Sequence, residues 1–172
     1  MRTLLSLAVL VVALSAPRAA RAQGGNFGLG IIIGSPTGLS AKYYLTEGKG
    51  HAIDAALGLA TLGNHGIHIH ADYLWHPLIL AREDSFDLAM YIGLGGRLLD
   101  HDRGRDFDDH FHVGLRGPLG LVFDFLRGGV PIDVFVEAAL VLDFVIDDDQ
   151  GRGDEDSIDL DLNAGIGARY YF

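Results

Sequence analysis

The stretch GIHIHADYLWHP, residues 66–77, gathers the side chains best suited to chemistry: His68, His70, Asp72 and His76, all of one parity. Imidazoles and a carboxylate at alternate positions are the donor types of a metal centre or of a proton relay. His68, His70 and Asp72 are therefore the candidate metal ligands. The same stretch is also one face of a strand whose other face is Ile67, Ile69, Ala71, Tyr73 and Trp75. What the histidine row does depends on what that apolar face touches, and the rest of the chain has to answer.

Arg2 precedes an apolar run from Leu4 to Leu14, followed by Pro17 and by Ala20-Arg21-Ala22 before Gln23. A short charged start, a short apolar core and an Ala-x-Ala ending predict a secretory signal peptide. A membrane helix would need roughly 20 apolar residues. Residues 1–22 are expected to be removed, leaving 23–172 as a single domain. No cysteine follows, which excludes a disulfide and a lipid-modified N-terminal cysteine. Of the 13 basic residues, Arg2, Arg18 and Arg21 leave with the leader, so 10 face 23 acids and the net charge is −13. Nucleic acid is an unsuitable partner for such a surface. Yet 49% of the chain is hydrophobic and no later segment is as long as a membrane helix, a combination that points to alternating strands.

Period-two alternation predicts eight strands, at 26–34, 38–46, 51–61, 66–77, 86–99, 111–126, 132–144 and 158–172. In the fifth, for example, Leu88, Met90, Ile92, Leu94 and Leu98 oppose Tyr91, Gly93, Gly95 and Arg97. Four strands carry several ionisable residues, and in each of the four they share one face. A charge facing lipid at mid-bilayer costs about 2–4 kcal/mol, which accounts for such exclusion. Eight continuous apolar faces exceed what a small barrel interior holds, so the apolar faces are expected outside and the charges inside. Aromatic residues agree. With strands alternating in direction, Phe27, Tyr43, Tyr73, Trp75, Phe86, Phe123, Phe125, Tyr170 and Phe172 fall at one end, the periplasmic one, as an interfacial girdle. Phe111 and Phe144 fall at the other end.

At the C-terminus Ala164, Ile166, Ala168, Tyr170 and Phe172 alternate up to a terminal phenylalanine. This resembles the signal that bacterial outer-membrane barrels present to their assembly machinery, with Tyr170 and Phe172 as its aromatic residues. Size and strand count resemble the eight-stranded barrels of the OmpA and OmpX kind. More closely, GIIIGSPTGLSAKYYL, HADYLWH, GLGGR and LNAGIGARYYF are similar to a family of small outer-membrane barrels of unknown function. The resemblance implies a monomeric barrel in the bacterial outer membrane, partnered by outer-membrane lipids and the barrel assembly machinery. It brings no catalytic residues and no cofactor.

In such a barrel the histidine row belongs to an interior polar network. Lys42, Arg97, Arg116 and Arg169 are expected to pair with Asp54, Asp72, Asp124, Asp133, Glu137, Asp143, Asp159 and Asp161, since buried charges are costly unless paired. Inward glycines such as Gly93 and Gly95 suit a tightly curved wall, and Pro118 is expected to mark a bulge. The acidic connections 100–110 and 147–157, the second containing Arg152-Gly153-Asp154, read as solvated outer loops. The expected function is non-enzymatic, envelope-structural or surface-interacting. The alternatives are a lipid-modifying barrel enzyme, for which His101, His110 and Ser157 are the only candidates near the outer end, and then a narrow pore.

Overall fold

The computed structural model describes residues 25–61, 64–101, 110–146 and 158–172, and in it the chain is a closed antiparallel barrel of eight strands in sequence order. The strands are β1 (Phe27–Gly34), β2 (Thr37–Tyr44), β3 (His51–Thr61), β4 (Asn64–Arg82), β5 (Asp87–His101), β6 (His110–Asp124), β7 (Ile132–Ile146) and β8 (Ile158–Tyr171). Residues 1–22, Ser157 and the loop segments 102–109 and 147–157 lie outside the described residues, as do the side chains of His101, His110 and Phe111. We call the end where β1 begins and β8 finishes proximal, and the other end distal.

The pairing fixes the shape. Starting at Tyr171, successive partners are Gly28, Lys42, Asp54, Asp72, Gly95, Arg116, Val141 and Asp161. The path leaves β8 at 171 and returns to it at 161, a stagger of ten residues (171 − 161 = 10). With strand spacings of about 3.3 and 4.8 Å, that stagger tilts the strands by about 40° from the barrel axis. It also brings residues far apart in sequence into one interior.

Two departures from simple alternation have local causes. β4 continues through Pro77 to Arg82, well past the end that parity predicts. Its last pairing with β3 is Trp75 to His51, so Pro77 lies where the strand has no β3 partner and its missing N–H interrupts no ladder on that side. Register shifts between Trp75 and Leu78 and between Ile79 and Ala81 then turn Leu78, Ile79 and Leu80 outward together. Pro118 marks no bulge. β6 keeps one register with β5 on either side of it (Ile92 to Leu119, Gly95 to Arg116), and only the intervening pairs are missing. The ring that removes the N–H is buried and faces Gly93, where an added Cβ would lie 3.0 Å from Pro118 Cγ. A gap in the ladder replaces the expected insertion.

The two faces differ in kind. Large apolar side chains from all eight strands stand exposed, from Phe27, Leu29 and Ile31 on β1 to Leu160, Leu162 and Ile166 on β8. Inside, at the proximal end, Tyr44, Tyr91, Tyr171, Leu74, Phe135 and Val122 form an apolar floor. Three of its rings rest on glycine: a Cβ at Gly120 would strike the Tyr91 ring, one at Gly167 the Phe135 ring and one at Gly28 the Tyr171 ring. A β6–β7 turn containing the 3-10 segment Leu126–Gly128 closes at Gly129 with φ of 81°, a conformation that favours glycine.

Candidate functional site

Above the floor the interior carries three arginines, and each bridges two carboxylates from other strands. Nearest the floor, Arg169 of β8 donates to Asp54 of β3 and, at 3.2 Å, to Asp133 of β7, with its guanidinium 3.9 Å from the centre of the Phe135 ring. Higher up, Arg116 of β6 donates to Asp72 of β4 and Glu137 of β7. Toward the distal end, Arg97 of β5 donates to Asp143 of β7, to Asp161 of β8 at 2.7 Å and to Asn163 at 3.0 Å. β7 supplies one acid to every layer: Asp133, Glu137 and Asp143. All three guanidinium groups are buried. An isolated charge there would be very costly, and the doubled ion pairs offset that cost.

Two tyrosines of the floor join the layers through hydroxyls. Tyr91 donates to Glu137 at 2.8 Å and Tyr171 to Asp133 at 2.7 Å. These rings share the parity of the charged face. Their inward position was therefore legible, while their role as hydrogen-bonding floor members was not.

Several sequence-predicted members sit differently. Lys42 is buried, but among the described residues no carboxylate lies within ion-pair distance of it. Its Nζ instead meets His76 Nε2 at 3.0 Å and stands over the Tyr44 and Tyr91 rings, 4.9 and 5.0 Å from their centres. Asp124 is at the proximal mouth rather than in the layers, paired with Lys49 and accepting the Leu126 N–H at 2.9 Å. Asp159 is exposed near the distal end of β8, because the stagger carries the start of that strand above the layers. Of the aromatic residues, Phe27, Tyr43, Tyr73, Trp75, Tyr170 and Phe172 are exposed outward. Phe86, Phe123 and Phe125 are half-buried against one another, with Phe125 beyond the end of β6, at the start of the turn. Phe172 stacks on Phe27 and donates its N–H to the Phe27 carbonyl at 3.0 Å.

The histidine row faces inward. His70 Nδ1 and His68 Nε2 are 3.3 Å apart, and His70 Nε2 is 3.9 Å from Asp72. The donors that converge best are His70, Asp72 and Glu137, whose ligand atoms lie within 4.8 Å of one another; Glu137 replaces His68 in the sequence-derived set. Geometry disfavours a metal there. Arg116 already bridges the two carboxylates, placing a fixed cation where the ion would sit. The remaining oxygen of Asp72, Oδ1, has no hydrogen-bond partner among the described residues and is pressed against Gly95 rather than turned toward His70. Glu137 Oε2 is occupied by Tyr91. Arg116, Asp72 and Glu137 are thus parts of a packed ionic framework. Compared with protein-family models, curated proteins and solved structures, the chain matches none.

Proposed function

We propose that this chain is a small, closed, non-enzymatic barrel of the bacterial outer membrane, with an envelope-structural or surface-interaction role. One observation carries the reading: the barrel is inverted relative to a soluble one. Its charges are buried as arginine–carboxylate layers, and apolar side chains cover the outside of every strand. Soluble monomers rarely expose apolar patches beyond a few hundred Å², whereas a lipid-facing barrel requires such a belt. The exposed aromatic residues at the proximal end suit a periplasmic interface. The leader-like residues 1–22 supply export, and Tyr170 and Phe172 supply the signal read by the assembly machinery. A barrel filled by three ionic layers above an aromatic floor is closed rather than a narrow pore. Lipids are its surroundings, and one copy suffices for the fold.

Fractionation of an expressing Gram-negative cell tests this directly. The protein should partition with outer membranes, lack residues 1–22 and run on SDS gels with a heat-dependent shift. Recovery of the exported chain in the soluble periplasm would overturn the proposal.

A further inference from the structure

The β2–β3 turn places Lys49 where the floor of the barrel meets the proximal solvent. Within Gly48-Lys49-Gly50 it is the lysine, not either neighbouring glycine, that has a positive φ, of 54°. Backbone of that kind is normally left to glycine or asparagine, so a lysine held there calls for a reason in its side chain. The turn is closed by the Lys49 N–H donating to the Thr46 carbonyl at 3.0 Å. From it the side chain crosses the mouth and its Nζ pairs with Asp124 at the end of β6. In a ring of eight strands the β2–β3 turn and β6 stand nearly opposite. On the way the ammonium passes over the stacked floor rings, 5.2 Å from the centre of Tyr44 and 5.5 Å from that of Tyr171. On the interior side of the same floor lies Lys42 with His76, the one buried cation that has no carboxylate partner among the described residues.

We propose that Lys49 is a strap that closes the proximal mouth. With the Lys49–Asp124 bridge in place, the buried Lys42–His76 pair is sealed from that side. Release of the bridge lets the two tyrosines part and admits water and small solutes. The strap explains why an acid predicted for the interior sits at the rim, and it does not depend on the membrane assignment.

The natural chain has no cysteine, which makes the test clean. Ala52, fully buried in the floor beside Tyr44, is replaced by cysteine, and labelling by a small charged methanethiosulfonate is timed on the folded protein in detergent. Lys49→Ala should speed labelling at 52 by about tenfold, the combined worth of a partly exposed ion pair and two cation–π contacts. The exchanged pair, Lys49→Asp with Asp124→Lys, should restore protection. A thiol in a distal layer, Val141→Cys, should stay as slow as before. Equal rates at 52 with and without Lys49, an exchanged pair as fast as the single variant, or matching acceleration at 141 would each overturn the strap.

Discussion

If the outer face meets hydrocarbon, a charge placed on it should cost more the closer it stands to the middle of the layer, and the stagger says where that middle is. Ten residues shared by eight strands mean that paired residues climb distally by about 1.25 residues per strand (10/8), each residue rising about 2.5 Å at a 40° tilt. From Phe27 the paired residues are Tyr43, Ile53, Tyr73 and Leu94, four strands on. Leu94 therefore stands about five residues, or roughly 13 Å, above the Phe27 level, near the centre of a band about 25 Å tall. Leu45, one strand from Phe27 and two residues past Tyr43, stands about one residue below that level. Both are open on the outer face, at 67% and 45% exposure. Relative to alanine at the same site, Leu94→Arg should cost about 2–4 kcal/mol and Leu45→Arg about 0–1 kcal/mol. Reversible urea unfolding in phospholipid vesicles, followed by the heat-dependent gel shift, measures both. Equal penalties at the two depths would refute the hydrocarbon belt or the stagger that locates it, since a water-facing wall treats the two sites alike.

Three further outcomes follow from the interior and the C-terminus. Arg116→Met leaves Asp72 and Glu137 as facing acids with no cation between them and should destabilise the barrel by about 3–5 kcal/mol in the same unfolding assay; a loss under about 1 kcal/mol would show the layer is not a charged one. Gly167→Ala drives a Cβ into the Phe135 ring and toward the Ile31 carbonyl, an overpacking worth roughly 1–3 kcal/mol, visible as a lower gel-shift temperature. Deleting Phe172 removes the stack on Phe27 and the proposed assembly signal, so its yield in outer membranes should fall far more than that of a chain lacking Gln150.

Much of the wall was legible because period two is a local property. Ile31, Leu57, Leu94 and Leu140 declare themselves by their neighbours, and their exposure follows. Partner choice in the interior was not legible, because it depends on stagger, a property of the closed ring. Nothing near Asp72 in sequence announces Glu137, and Asp159 shares the parity of Asp161 yet lies too near the distal start of β8 to be enclosed. The extension of β4 escaped because Leu78-Ile79-Leu80 abandons alternation where the strand bulges. Lys49 was legible only as a turn residue: its reach to Asp124 spans 75 positions of chain and the width of the mouth.

The layers also answer a question that the apolar wall leaves open, namely how each strand finds its register. A slip by one residue would turn every apolar side chain inward and is excluded at once. A slip by two keeps the alternation, so an outer face of uniformly apolar side chains barely resists it. Inside, the same slip moves each charge about 6.8 Å along its neighbour, beyond ion-pair reach. β7 is where this tells most, since Asp133, Glu137 and Asp143 each meet a different arginine, carried by β8, β6 and β5. Their intervals are four and six residues, so none is two. Sliding β7 by two in either direction therefore brings none of the three acids to the place of another, and all three arginines lose a partner together. The buried charges discriminate against the one family of errors that the hydrophobic pattern tolerates. On this argument Asp72, the member of the histidine row that meets Arg116, is part of the device that holds the stagger at ten.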